Sequence, residues 1–303
     1  MPELLEPRFD VVSIGAATVD IFVKSGDFVV DHNRLVLPYS SKNEIKESLI
    51  CSGGGATNSS VSFSRLGLKS ACLSLLGQDP LRDFVLSDLT SEHVDTSLLV
   101  SRASETTDYS IILIAPDGGR TILTNRGPSR LEESDISWDA VQSTRWFYIT
   151  SLEGNLDLLE QLIGFAKEHN IHLSFNPGLR ELAQKTRLLP LLPHLDFLLL
   201  NKIESEYFSP SELLLPPITA VTHGRDGAFV YANTQKLYSP ILNTTPVDET
   251  GAGDSFGSAF VAALAHNHPP DIALHWAIKN SASMVSSIGA KTGLLTLSEI
   301  TSS

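Results

Sequence analysis

The chain has 303 residues, 42% of them hydrophobic and 19% charged, with a formal net charge of −13. That length suits one large α/β domain with a small appendage, and the mix argues against long disorder. No basic run is present, which argues against a nucleic-acid binder, so an anionic ligand has to be caught by local N–H nests, Mg2+ or single arginines. Cys51 and Cys72 fit no metal spacing and no disulfide framework, and are expected as reduced, mostly buried thiols. The first residues are acidic and lack an apolar signal core, and no apolar run is long enough to span a membrane. The expected location is the cytoplasm.

Residues 10–16 (DVVSIGA) read as a buried strand ending in a small-residue turn, and residues 18–23 as an alternating strand with Asp20 near its start. Residues 23–49 are mixed and polar with strand-like pieces. Gly53, Gly54 and Gly55 open a helix that closes at Gly67, a place where backbone N–H groups can meet a ligand. Residues 71–77 form a buried strand, and Asp79 opens a helix through Leu89. Residues 109–114 and 120–123 flank the turn Asp117-Gly118-Gly119 as a hairpin, with Arg126 just beyond it.

From Trp146 onward strand and helix alternate. Strands are expected at 146–149, 172–176 and 197–200, with helices at about 156–166 and 182–192. Such alternation predicts a parallel sheet covered on both faces, with ligands at the C-terminal ends of its strands. Three polar clusters lie at those ends: Asn176-Pro177-Gly178, Asn201-Lys202-Ile203-Glu204, and Thr222-His223-Gly224-Arg225-Asp226-Gly227. His266 and His268 read as exposed loop histidines rather than metal ligands. A last apolar helix over 272–288 contains Asn280.

The chain is organised around residues 245–256 (TPVDETGAGDSF). Gly251, Ala252 and Gly253 stand at the start of a helix running to about His266. The unpaired N–H groups and positive dipole end there make a nest for a phosphate or a developing negative charge. A carboxylate at Asp254 would repel a merely bound phosphate. It makes sense if it handles a proton or orients a hydroxyl during phosphoryl transfer. The plainer alternative is a helix cap after a tight turn. Two other glycine readings fail. Gly251-x-Gly253-x-x-x-Gly257 has the wrong spacing for a dinucleotide fingerprint, and Gly289-Ala290-Lys291-Thr292 has Ala290 where a P-loop needs its second glycine.

Asp248-x-Thr250-Gly251-Ala252-Gly253-Asp254-x-Phe256 resembles the C-terminal signature of the ribokinase-like (PfkB) family of carbohydrate and nucleoside kinases. Gly53-Gly54-x-x-x-Asn58, with a helix ending Arg65-Leu66-Gly67, is similar to the family's first signature, and further landmarks follow in order over nearly the whole chain.

The resemblance implies a three-layer α/β/α fold with a mostly parallel sheet. It implies a single domain over residues 1–303 and a small β-sheet lid built from insertions at about 18–49 and 105–127. It places Asp20, Gly53, Gly54 and Asn58 on sugar hydroxyls, with Arg126 as a further substrate contact. Asp254 becomes a base, expected to be weak because it stands at a helix start, beside the nest of Gly251, Ala252 and Gly253. Asn176, Asn201, Glu204, Thr222, Gly224, Gly227 and Asn280 fall on the ATP side, Glu204 organising Mg2+ through water. Asp248 and Thr250 match ligands of a monovalent cation, K+, although Gly293 stands where some members have serine. Gly55 stands where lysine is common in some sugar and sugar-phosphate kinases.

The implied activity is ATP-dependent phosphorylation of a hydroxymethyl group on a small sugar such as ribose. A nucleoside kinase, with Tyr109 offering an aromatic surface to a purine, is the alternative within kinases. A non-catalytic sugar or nucleotide sensor is the alternative of another class, and a nicotinamide oxidoreductase is disfavoured by the glycine spacing. The family often dimerises through its lid.

Overall fold

Apolar runs too short for helices and too continuous for exposed strands have to be buried on both faces, and they are. The computed structural model describes residues 7–103, 105–127, 130–232 and 235–302. Its central sheet has eight strands in the order Gln235–Ser239, Ala228–Ala232, Ile218–Thr222, Phe197–Asn201, His172–Phe175, Thr144–Ile149, Phe9–Ile14 and Ser70–Leu73. Neighbours are parallel from Ser70–Leu73 through Ile218–Thr222, and the last two strands run antiparallel. The N-terminal strand sits inside this sheet, with Val11 opposite both Ser70 and Trp146.

Alternate side chains of one strand feed two cores, as the strand period requires. Phe147 and Ile149 join Leu159, Leu162, Leu173 and Leu198 under the helix Leu156–His169. Trp146 and Tyr148 join Phe63, Phe197, Phe256 and Phe260 under the helices Gly55–Arg65, Ala252–Ala265 and Pro270–Met284. Each such fully buried leucine or phenylalanine contributes about 1.5–3 kcal/mol by leaving water.

The expected helix over 182–192 is broken into Leu179–Leu182, Lys185–Leu188 and a 3-10 stretch, Leu189–His194. Pro190 and Pro193 cannot donate to a helical ladder, which accounts for the 3-10 stretch that ends it. The expected strand over 71–77 is divided as well: Ser70–Leu73 stays in the central sheet, while Leu75–Gly77 pairs with Val100–Arg102.

A second sheet has four strands in the order Arg120–Asn125, Asp108–Ile114, Thr18–Ser25 and Ile45–Gly53. It grows from the C-terminal end of the first central strand, because only residues 15–17 separate Ile14 from Thr18. Its last strand runs through Gly54 into the helix Gly55–Arg65. The second sheet and that helix start are thereby held at the end of the central sheet where ligands of such folds bind. Among the described residues no helix is long and apolar enough to cross a membrane.

Candidate active site

Gly251 adopts φ 81° and ψ 7° to turn the chain into the helix Ala252–Ala265. A Cβ at Gly251 would lie 2.4 Å from the Ala290 Cβ, so conformation and space both require glycine. The Ala252 N–H closes the turn onto the Glu249 carbonyl at 3.2 Å, and the first helical bond runs from the Ser255 N–H to the Gly251 carbonyl at 2.9 Å. That corrects one expectation: the N–H groups left without a backbone acceptor at this turn are those of Gly251, Gly253 and Asp254, not Ala252. A Cβ at Gly253 would meet nothing within 4 Å, so the space beside this residue is open.

Asp254 accepts a hydrogen bond from Asn58 Nδ2 at 2.8 Å, joining the helix Ala252–Ala265 to the helix Gly55–Arg65. The two helices are also tied by Ser258 Oγ and Ser62 Oγ at 2.7 Å. Burial pushes the Asp254 pKa above the ordinary aspartate value, and the Asn58 hydrogen bond and the Lys291 charge offset this only in part. The helix start suggested a weak base; desolvation outweighs it and makes a stronger one. The other end of the Asn58 amide, Oδ1, is buried and has no partner among the described residues.

Asp20, in the strand Thr18–Ser25, is 9% exposed. A Cβ at Gly53 would come within 2.2 Å of Asp20 Oδ2, so Gly53 leaves the room this carboxylate occupies. Gly54 has φ 92°, and a Cβ there would sit 2.5 Å from the Ala16 carbonyl oxygen. Burial raises the Asp20 pKa, opposed by a hydrogen bond from Ser110 and by the Lys291 charge. Lys291 therefore acts on both Asp20 and Asp254. Its own Nζ is bonded to Ser52 and, at 3.1 Å, to Asp88, and the Ser52 hydroxyl also donates to Asp88. Burial lowers the Lys291 pKa, and Asp88 works against that. Arg126 is not drawn to Asp20 or Asn58: it pairs with Glu153 at 3.1 Å, a carboxylate that Arg180 also reaches at 2.8 Å.

On the other side of the Gly251 turn lies a cavity of about 320 Å³. Asn201, Thr222, Gly224 and Gly227 line it at the strand ends, and Ala252, Gly253 and Phe256 close it toward Asp254. Ile241 and Leu242 form another wall, and Ile278, Ser281, Ala282 and Val285 come from the helix Pro270–Met284 and the residue after it. Gly227 has φ 86°, and a Cβ there would lie 2.2 Å from the Ser239 carbonyl oxygen. Asn201 and Glu204 lock each other: the Asn201 N–H donates to Glu204 Oε2 at 2.8 Å and the Glu204 N–H to Asn201 Oδ1 at 2.9 Å. Burial raises the Glu204 pKa against the lowering effect of the Asn201 N–H.

Glu204 does not line the cavity, and two other residues expected on the ATP side are engaged elsewhere. Asn280 is fully buried; it donates to the Ser255 carbonyl at 2.9 Å and accepts from the Leu295 N–H at 2.9 Å. Its amide satisfies backbone groups between helices and leaves nothing for a ligand. Asn176 donates to the Leu199 carbonyl at 3.0 Å, tying two strand ends together, and does not line the cavity.

The residues expected to hold a monovalent cation are also engaged. Asp248 accepts from the Thr250 N–H at 2.9 Å, from the Gly289 N–H at 3.0 Å, and from Arg120 Nη1. The same Arg120 Nη1 lies 2.9 Å from Thr250 Oγ1. Burial alone would raise the Asp248 pKa; the Gly289 and Thr250 donors and the Arg120 charge bring it below the usual carboxylate value. Neither Arg120 nor Lys291 stood out in the sequence. Arg120 read only as a strand residue, and Lys291 only as part of a failed P-loop.

Comparison with known proteins identifies the family. Residues 9–297 match the model described as "pfkB family carbohydrate kinase". The chain is 24% identical to the ribokinase of Bacillus subtilis (strain 168), covering 96% of this chain and 98% of that protein. A solved structure of Arabidopsis thaliana ribokinase complexed with ribose and ATP superimposes with a TM-score of 0.78 at 17% identity, over 98% of each chain. A nucleoside kinase of Burkholderia thailandensis in complex with inosine does so with a TM-score of 0.78 at 14% identity, over 96% of each chain. The chain belongs to the pfkB family of carbohydrate kinases, phosphotransferases that act on an alcohol group of their acceptor.

Proposed function

We propose that this kinase transfers the γ-phosphate of ATP to a hydroxymethyl group of a small sugar such as ribose. The observation that carries the reading is the position of Asp254. Asn58 holds it on one side, and the two residues before it, Ala252 and Gly253, line the 320 Å³ cavity.

Asp20 and the unpartnered Asn58 Oδ1 accept hydrogen bonds from ring hydroxyls. Asp254 takes the proton of the attacking hydroxyl as the new O–P bond forms and the bond from the γ-phosphorus to the ADP oxygen breaks. The transition state is loose, so positioning matters more than base strength, although the raised pKa helps. The N–H groups of Gly253 and Asp254 stabilise charge on the phosphoryl oxygens. The purine lies between Ile278, Ser281 and Ala282 on one wall and Ile241 and Leu242 on the other. Mg2+ neutralises phosphate charge when bound. Asn201 and Glu204 fit its water shell, because Glu204 Oε1 has no partner among the described residues. No group of three or more His, Cys, Asp or Glu that could hold a metal occurs among the described residues, which suits an ion held mainly by its nucleotide.

The four-stranded sheet acts as a lid that excludes water and suppresses ATP hydrolysis. Exposed Ile45, Leu49, Ile50, Ile122 and Leu123 on that sheet suit a second copy of the chain. The nucleoside reading has less support, because the Tyr109 ring packs against the buried cluster of Val19, Ala56 and Leu76. A phosphotransferase family displaces the sensor reading.

The test is ADP release with Mg-ATP over pentoses, hexoses, sugar acids, sugar phosphates and nucleosides, with Asp254→Asn as control. Acceptor-dependent ADP that collapses in the variant is expected with ribose or a sugar of its size. Turnover confined to nucleosides would replace the sugar reading with the nucleoside one.

A further inference from the structure

We propose that Arg120 is a built-in replacement for a monovalent cation beside the phosphate nest, so that phosphoryl transfer in this protein runs without K+. The two residues that family resemblance offers to such a cation are Asp248 and Thr250. One guanidinium nitrogen, Arg120 Nη1, bonds both.

Other groups around the pair are partly engaged as well. The second Asp248 oxygen accepts the Gly289 N–H at 3.0 Å. The Val285 carbonyl is taken by the N–H groups of Val247 at 2.7 Å and Asp248 at 3.2 Å. A serine at position 293 cannot reach in, because a Cβ at Gly293 would lie 2.4 Å from the Ser283 carbonyl oxygen. Asp248 and Thr250 therefore do not fit K+ while Arg120 is seated.

The Asp248 side chain is 4% exposed and carries a charge that burial alone would not sustain. A guanidinium keeps its proton at every pH of interest, so this carboxylate is never left unpaired, whatever the salt. Asp248 and Thr250 immediately precede the Gly251 turn. The positive charge therefore lies next to the nest where negative charge develops.

Arg120 does not belong to the nest's own segment. It comes from the strand Arg120–Asn125 of the small sheet, directly after the Asp117-Gly118-Gly119 turn, and reaches a partner 128 residues away in sequence. A dissolved ion is present whatever the position of that sheet. An arginine on the sheet is present only when the sheet is seated, so the nest has its full charge only when the acceptor is covered.

The purpose of this charge rests on the kinase reading; its location does not, and the test separates the two. Crystals of the wild type and of Arg120→Ala are soaked in rubidium chloride, and anomalous scattering is measured between Asp248 and Thr250. No rubidium in the wild type and a rubidium peak in the variant are expected. Turnover is then compared in potassium chloride and choline chloride at equal ionic strength. The wild type is expected to be equal in both. Arg120→Ala is expected to fall on the order of ten- to a hundredfold in choline and to recover in potassium. Arg120→Lys, which keeps the charge, serves if the alanine variant does not fold, and is expected to stay potassium-independent. Rubidium bound in the wild type, wild-type turnover that rises with potassium, or an Arg120→Ala enzyme as active in choline as the wild type would each overturn the proposal. If no acceptor turns over at all, the kinase reading fails and the rubidium maps still decide the site.

Discussion

On the proposed acceptor side stand Asp20 and the bonded pair Asn58 and Asp254, where burial pushes both carboxylates up and Gly53 leaves room for Asp20 Oδ2. Asn201, Thr222 and Gly227 instead face about 320 Å³ of open space walled by aliphatic side chains and bare backbone. The acceptor side depends on side chains locked to one another before anything binds. The proposed nucleotide side depends more on backbone shape, and its lining mixes apolar side chains with Arg225, Thr244 and Glu249. The first should be intolerant of small chemical changes, and the second of changes in backbone conformation.

The largest expected effect is on the acceptor side. Asp254→Asn should lower kcat on the order of 10²–10⁴-fold while ADP affinity, measured by calorimetric titration, stays near that of the wild type. A loss of ADP binding of the same size would dissolve the distinction between the two sides.

Gly227→Ala probes the nucleotide side at its backbone. Positive φ and the nearby Ser239 carbonyl should cost about 1–3 kcal/mol in urea unfolding, with the KM for ATP raised. Thr222→Ala, which alters only a side chain of the same wall, should leave both near their starting values.

Asn58→Ala should move the acid limb of the kcat/KM profile. Asp254 must be ionised to take a proton, its pKa is already raised, and the Asn58 hydrogen bond lowers it. Removing that bond raises the pKa further, so the limb shifts to higher pH. A limb that stays in place or moves down would show that Asp254 is not the titrating base.

The smallest effect concerns stability against pH. Asp248 has a depressed pKa in the folded protein. Its ionisation therefore contributes stability that is present above about pH 3.9, the unfolded value, and is lost as pH falls through the folded value. Asp20 and Asp254, with raised pKa values, act in the opposite sense and cost stability above their folded values. Asp248→Asn should flatten the acid side of a plot of urea midpoint against pH, whereas Asp254→Asn should steepen the fall toward acid.

What could be read from the sequence followed the range of the interactions. The strand at 197–200 and the helix after Gly253 were legible because their signals lie within a few neighbouring residues. Asn280 was misplaced although a local signal existed. Ile278, Ser281, Ala282 and Val285 share one helical face at spacings of three, four and seven, and a residue two positions from Ile278 points away from it. Arg120 and Lys291 gave no local signal, because their partners Asp248 and Asp88 lie 128 and 203 residues away. Nothing in the neighbouring residues marks a buried ion pair of that span.

The placement of the strand Phe9–Ile14 inside the central sheet bears on how the chain is made. Its neighbours begin at Ser70 and Thr144, so this strand stays unpaired on one edge until Thr144 has been made. Contacts of such separation form slowly and leave apolar edges exposed in the meantime. The helix Ala252–Ala265, which carries Asp254, is made after every strand of the central sheet. A nascent chain thus has its central sheet before the proposed base, and a product interrupted in between would carry strands prone to aggregation without Asp254.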